Sequence, residues 1–391
     1  MLQDIDDIRN TFSYFWSKTL LCFVLFLLGT VLAKDISYHD VFVSGVGGYH
    51  TYRIPSVLYL GDGTLLAFCE GRKKSGSDTG DIDILIKQSR DSGKTWSSQK
   101  IIADNGADTI GNPCPVVDSE TSRIFLFTTT NLAEDDGRAI RTGKSKDTRR
   151  VNLLYSDNNG NKWSKPQDIT GQVKLPSWRW YATGPGTGIQ LQKGPFKGRL
   201  IIPCNFSIIE KGEIIGGSHV IYSDDHGRSW QISETVKPGF SECQVAELSS
   251  GRLMLNMRNS GRKGSRGIAF SDDGGTTWPL VEYKSVLIEP VCQASTISMA
   301  DPVTGKTVLL FSNPASAVYR ERFRMTVRAS FDQGNTWPCD ILVHSGPSAY
   351  SCLVDMEDGY IGCMYEGGVK SKYEKIIFAR LRYSLLVAQQ N

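Results

Sequence analysis

The sequence predicts an all-β fold, a six-bladed β-propeller, and three observations carry that expectation. An eight-residue pattern, Ser-x-Asp-x-Gly-x-Thr/Ser-Trp, recurs five times. The text between copies consists of short apolar runs bounded by turn residues. The stretch Lys34–Asn391 is 358 residues long, room for six units of the observed period of about 60; a repeat of that size marks one structural unit used again and again.

The copies read SRDSGKTW (Ser89–Trp96), SDNNGNKW (Ser156–Trp163), SDDHGRSW (Ser223–Trp230), SDDGGTTW (Ser271–Trp278) and SFDQGNTW (Ser330–Trp337). Four fit fully; the second carries Asn158 and Lys162 at the Asp and Thr/Ser positions. Each is expected to be an Asp-box turn between strands. The carboxylate accepts backbone N–H groups of its own turn, and the Gly supplies a positive φ. The Trp packs the turn onto a sheet. Calcium loops need alternating oxygen ligands and a Glu at the twelfth position, which these copies lack.

Gly63–Cys69, Arg123–Thr128, Arg199–Cys204 and Thr307–Ser312 are short apolar runs, suited to strands buried on both faces. No helical periodicity is sustained. A four-stranded antiparallel sheet with its turns fills about 60 residues, and radial repetition of such sheets is a propeller. A β-helix needs a much shorter period.

With 44 basic and 41 acidic residues, the net charge of +3 argues for neither nucleic acid nor a membrane surface as partner. Leu20–Ala33 is uncharged and follows Lys18. It is short for a membrane span and ends in Val31-Leu32-Ala33, a small-residue cleavage pattern. Residues 1–33 are therefore read as a signal peptide or a signal anchor, the latter giving membrane attachment through 20–33. Either routes the chain into the secretory pathway, to an extracellular, lysosomal or membrane-tethered place. Eight of the nine cysteines lie beyond this run, in no compact disulfide framework. Asn205-Phe206-Ser207 is a glycosylation sequon. Without CxxC or HExxH, no zinc site is expected.

Arginines in otherwise apolar text are the informative polar residues. Arg53 lies in Tyr52-Arg-Ile-Pro55, Arg258 in Leu255-Asn-Met-Arg258, and Arg322 among Arg320, Arg322 and Arg324. Guanidiniums from separate units, converging on one axis, clamp a carboxylate through paired planar donors. Tyr52-Arg-Ile-Pro55 followed by the repeated turns resembles the sialidase (neuraminidase) family of exo-acting glycoside hydrolases, nearer the lysosomal-type animal and bacterial members than the viral ones.

The resemblance runs from about Tyr52 to Glu366 and assigns roles block by block. It makes Arg53, Arg258 and Arg322 the carboxylate clamp. Arg322 is eight residues before the Ser330 turn, and Arg320 and Arg324 are expected on the same strand face. In Gly71–Asp78 it makes Asp78 the acid/base and Arg72 a further pocket arginine. Ser241–Gln244 supplies Glu242, and Gly346–Ser351 supplies the nucleophile Tyr350. Asn112 stands where some bacterial relatives carry Asp, as a pocket contact. Trp178–Tyr181 resembles a loop at the glycerol or aglycone end, which makes Tyr181 a substrate contact.

The implied activity is exo-α-sialidase hydrolysis of terminal sialic acid on glycoproteins, gangliosides or oligosaccharides, with retention and without metal or cofactor. The sugar's own carboxylate would repel a carboxylate nucleophile, whereas a phenol avoids the repulsion. Glu242 would deprotonate Tyr350, and Asp78, with a locally raised pKa, would protonate the leaving oxygen. A trans-sialidase shares these residues. A non-catalytic sialic-acid-binding lectin would keep the arginines alone.

Overall fold

Twenty-four strands with only short helices between them make up the computed structural model, which describes residues 36–357 and 359–389. The expected signal segment 1–33, with Cys22, lies outside the described residues. In chain order the strands are β1 (Ile36–Val43), β2 (Thr51–Tyr59), β3 (Leu65–Arg72), β4 (Ile82–Ser89), β5 (Lys100–Ala103), β6 (Thr109–Asp118), β7 (Arg123–Asn131), β8 (Arg150–Ser156) and β9 (Gln167–Asp168). There follow β10 (Tyr181–Thr183), β11 (Ile189–Gln190), β12 (Leu200–Glu210), β13 (Glu213–Ser223), β14 (Gln231–Ile232), β15 (Phe240–Glu247), β16 (Leu253–Asn259), β17 (Ser265–Ser271) and β18 (Leu280–Ile288). The last are β19 (Ser295–Ala300), β20 (Thr307–Pro314), β21 (Phe323–Ser330), β22 (Cys339–Asp355), β23 (Tyr360–Gly367) and β24 (Lys375–Arg382). All four apolar runs singled out in the sequence fall on strands: β3, β7, β12 and β20.

Pairing is mostly sequential, and antiparallel apart from one parallel bridge, Ile82–Thr109, between β4 and β6. One sheet runs β2-β3-β4-β6-β7-β8-β9 with β5 on β4. A second runs β10-β12-β13-β14 with β11 on β12, and a third β15-β16-β17-β18. The fourth runs β19-β20-β21-β22-β23-β24-β1, so a strand from the start of the described chain pairs beside one from its end. The seventeen-residue β22 serves two partners: its first half pairs with β21 and its second half with β23. Burial falls across each meander. β2 and β3 are buried along nearly their whole length, while β5, β9 and β18 are largely exposed. Continuous apolar text in the inner strands reflects cover on both faces.

The repeated turns hold themselves together by local hydrogen bonds. Asp91 accepts the Thr95 N–H at 2.9 Å and the Thr95 hydroxyl at 2.6 Å, and Ser89 Oγ accepts the Gly93 N–H at 2.9 Å. Asp225, Asp273 and Asp332 repeat this bonding. The degenerate copy keeps it with an amide: Asn158 Oδ1 accepts the Lys162 N–H at 2.9 Å. Three of the turn tryptophans pack on aromatic rings of the preceding meander, as Trp96–Phe378, Trp163–Phe68 and Trp230–Phe127. Gly93 shows why the turn needs glycine. Its φ is +83°, and a Cβ there would stand 2.2 Å from the Phe378 ring.

All eight cysteines among the described residues are buried free thiols, acting as small apolar side chains. No described helix is long and apolar enough to cross a membrane.

Candidate active site

One backbone device recurs in four inner strands. In β2, β6, β15 and β22 the register slips so that two residues face one on the neighbouring strand. The bulged pairs are Ile54-Pro55, Asn112-Pro113, Ser241-Glu242 and Ala349-Tyr350. Ile54 and Asn112 have φ of +58° and +55°, a strained region that surrounding contacts must enforce. Bulges re-aim side chains and interrupt the ladder. Here they lie beside Arg53 and at Asn112, Glu242 and Tyr350, all of which line one cavity of about 500 Å³.

The interrupted ladders leave donors that two buried carboxylates take up. Glu366 on β23 stands opposite the Tyr350 bulge. One of its oxygens accepts Arg53 Nε at 2.7 Å and the Ile54 N–H at 2.9 Å; the other accepts the Tyr350 N–H at 3.1 Å. Glu70 on β3 accepts the Asn112 N–H at 2.8 Å and pairs with Arg72 at 2.6 Å. Unpaired buried N–H groups are costly, so these carboxylates are what make the bulges tenable. In the third case the residue opposite the bulge is Arg258 itself, which faces Glu242.

At the cavity floor Tyr350 Oη donates to Glu242 Oε1 at 2.5 Å. Arg258 Nη1 donates to Glu242 Oε2 at 2.6 Å and to Tyr350 Oη at 3.2 Å. Arg53 and Arg322 lie 5.1 and 5.8 Å from the Tyr350 ring centre. Arg53 also stacks at 4.1 Å on Tyr373. Burial, aided by the Glu242 charge, pushes the Tyr350 phenol well above its ordinary value against the pull of the arginines. Burial works to raise Glu242, but Arg258, the Tyr350 hydrogen bond and Arg322 together outweigh it and hold this carboxyl below its usual range. The resting proton therefore sits on the phenol, with an ionised acceptor beside it. Arg258 Nε and Arg322 Nε are buried donors without a partner among the described residues.

Asp78 sits at the mouth, its side chain 71% exposed, on the loop between β3 and β4. Arg72 Nη1 donates to it at 2.8 Å, and Arg53 Nη1 stands 3.7 Å away. Arg72 does not line the cavity; it holds Asp78 from behind. The expected raised pKa is not found in this state. Desolvation pushes Asp78 up, but Arg72 and then Arg53 overcome it and the carboxyl is lowered.

Three further expectations need correction. Tyr181 is fully buried and packs against Trp178 and His219 in an apolar cluster. Its neighbour Trp180 lines the cavity instead, because alternate residues at a strand start point to opposite faces. Arg320 and Arg324 do not share a strand face with Arg322. Both have left-handed backbone, at φ +62° and +64°, and β21 begins only at Phe323; Arg320 reaches the cavity rim and Arg324 does not. The sequon Asn205 lines the cavity, 3% exposed, so the folded chain has no room for a glycan there.

Asn112 is more than a pocket contact. Its side-chain oxygen accepts Arg149 Nη2 at 2.5 Å and Thr129 Oγ1 at 3.1 Å. Sequence reasoning missed Arg141, Arg149, Tyr373, Glu70 and Glu366. One signal pointed to Glu366: it follows Tyr350 by 16 residues, the same hairpin spacing that separates Arg258 from Glu242.

The BNR repeat-like domain family matches residues 63–363. The chain is 35% identical to a sialidase of Micromonospora viridifaciens over 88% of its own length and 54% of that protein's. It is 30% identical to sialidase-3 of Rattus norvegicus, over 84% of its own length and 90% of that protein's. The solved structure of the Hadza microbial sialidase Hz136 superposes with a TM-score of 0.78 at 32% identity, over 89% of this chain and 69% of that one. The chain thus spans about half the length of the Micromonospora relative and nearly all of the mammalian one. The all-β architecture, the convergent arginines around a phenol and these likenesses agree: the chain belongs to the sialidase family.

Proposed function

We propose that the protein is an exo-α-sialidase that hydrolyses terminal α-linked sialic acid with retention, on a six-bladed propeller. The blade count is supported by the meanders: β22 divides the longest-range sheet into two, and a single parallel bridge at Ile82–Thr109 joins two more. The observation that carries the function is Tyr350 hydrogen-bonded to Glu242 within reach of three guanidiniums.

The sugar carboxylate enters against Arg53, Arg258 and Arg322, whose charge-assisted bonds orient the anomeric carbon. Tyr350 Oη attacks that carbon as its proton passes to Glu242, and the glycosidic bond breaks. Asp78 protonates the departing oxygen. The substrate carboxylate neutralises Arg53 and expels water, and both raise Asp78 towards the value an acid needs. Water, deprotonated by Asp78, then attacks the same carbon as its bond to Tyr350 Oη breaks, and the proton on Glu242 returns to the departing phenolate. A free lectin role leaves the Tyr350–Glu242 pair without use. Transfer to an acceptor sugar calls for an exposed aromatic platform. Trp178 is buried and Trp180 is already stacked by Arg141 and Arg149, which favours water as acceptor.

Release of a fluorogenic aglycone from an α-sialoside tests the reading. Wild type turns over and Tyr350→Phe does not; undiminished turnover in the variant overturns the nucleophile. NMR of the first product shows the α anomer if configuration is retained.

A further inference from the structure

Five arginines line the cavity, namely Arg53, Arg141, Arg258, Arg320 and Arg322, against two carboxylates, Asp78 and Glu242. Arg53 is matched from behind by Glu366, and Arg258 by Glu242. Asp78 is held mainly by Arg72. Arg322 bonds only a carbonyl and a phenol, and a bound sugar carboxylate completes it. Two cations then remain without a counter-charge among the described residues: Arg141 and Arg320.

They differ in how they are held. Arg320 is exposed, with Tyr319 as its ring contact at 5.1 Å. Arg141 belongs to the short helix Gly137–Thr142 and is fixed. Its guanidinium lies 4.1 Å from the Trp180 ring centre, and Nη1 donates to the Gly137 carbonyl at 3.0 Å. Most of its five N–H donors stay unused. Arg149 lies 3.9 Å from the same indole, buried, with Nη1 lacking a partner among the described residues. Burial, with Arg141 adding to it against the opposing charge of Glu70, brings Arg149 down to about 10. A guanidinium such as Arg141, with no ion-pair partner among the described residues, is unfavourable in a partly dry wall unless an anion joins it. Arg141 lines the same cavity as Asp78, the acid that serves the leaving group, and the sugar carboxylate is already taken by the other arginines, so an anion that Arg141 holds belongs to the rest of the substrate.

We infer that Arg141 is a second anion-binding residue of the cavity, reading an acidic group on the leaving portion of the substrate. The carboxylate of a penultimate sialic acid and a sulfate ester on a penultimate hexose share the required chemistry: planar or tripodal oxygens that accept paired guanidinium donors. The inference rests on the sialidase reading above and names the substrate class within it.

The test compares kcat/KM of the full chain on three substrates: sialyl-lactose, the same trisaccharide sulfated on its galactose, and a disialyl oligosaccharide. A charge-assisted bond of ordinary strength corresponds to a preference of about tenfold or more for an acidic substrate over the neutral one. Arg141→Ala and Arg141→Gln lower that ratio to near one, Arg141→Lys keeps part of it, and Arg320→Ala leaves it within about twofold. Added salt shrinks the wild-type ratio, a reading that needs no variant. Preference on the sulfate arm alone, or on the disialyl arm alone, identifies the anion. A wild-type ratio near one on both arms, or a ratio that survives loss of the Arg141 charge, overturns the inference while sialyl-lactose is still cleaved. Failure of wild type on all three substrates overturns the sialidase reading instead.

Discussion

Tyr350 Oη and Glu242 Oε1 lie 2.5 Å apart although 108 residues separate them, and Arg258 touches both. The pair puts a protonated phenol and an ionised acceptor at the cavity floor. Tyr350→Phe is expected to lower kcat more than about 10³-fold while leaving sialoside binding largely intact, because it removes the proposed nucleophile and leaves the proposed clamp. Glu242→Gln is expected to cost about 10²–10⁴-fold in kcat, the usual range for a general base. Steady-state kinetics with a calorimetric binding measurement separate the two effects. A variant that loses binding as strongly as turnover would place Tyr350 in recognition alone.

Glu366 ties Arg53 to the Tyr350 bulge from a fully buried position. Glu366→Gln leaves the Arg53 charge without its counter-ion, a change that costs about 3–5 kcal/mol in buried pairs. Denaturant unfolding is expected to show a loss of that order, together with a raised KM. A neutral result would mean that water or Tyr373 compensates Arg53.

In its proposed acid role Asp78 must be protonated to act on a poor leaving group, yet Arg72 and Arg53 overcome the raising effect of burial and lower it in the free protein. The kcat/KM of a sialyl-lactose is therefore expected to fall as pH rises above the acid range. Arg72→Gln removes the foremost charge that lowers Asp78, so the descending limb moves to higher pH. With an aryl leaving group, which departs unassisted, the limb is weak in both proteins. A pH profile unmoved by Arg72→Gln would take Asp78 out of the acid role.

The repeated turns predict an acid limit to stability. Burial opposes the charges of Asp91 and Asp225, but hydrogen bonds from Thr95 and Ser229 prevail and hold both at about 2. A folded pKa below the unfolded value of about 3.9 contributes stability that is complete above roughly pH 4 and is lost as pH falls towards 2. Asp225→Asn keeps the acceptor, as Asn158 does in its own turn, so the variant folds. Its melting temperature is expected to vary less between pH 4 and 2 than that of wild type. Parallel curves would contradict this.

Asn205 lies in the cavity wall. Expressed through a secretory pathway, active protein is expected to carry no glycan there. Mass spectrometry before and after peptide N-glycosidase should show no change at that peptide.

What could be read without coordinates was local. A turn whose Asp, Gly and Thr bond to one another within eight residues leaves its whole signature in consecutive text, and a strand covered on both faces is written as an apolar run. The all-β class followed from those, and Arg53, Asp78, Glu242, Arg258, Arg322 and Tyr350, which the structure brings to one cavity, came from the blocks that resemble the sialidases. What needed three dimensions was everything set by register between strands. The two-against-one bulges, the carboxylates Glu70 and Glu366 that satisfy them, and the choice of Trp180 over Tyr181 each depend on a one-residue slip, and such a slip reverses which face a side chain takes. The unpaired charge on Arg141 is likewise invisible in a chain that is nearly neutral overall, because counter-charges are assigned by distance in space and not by position in the text.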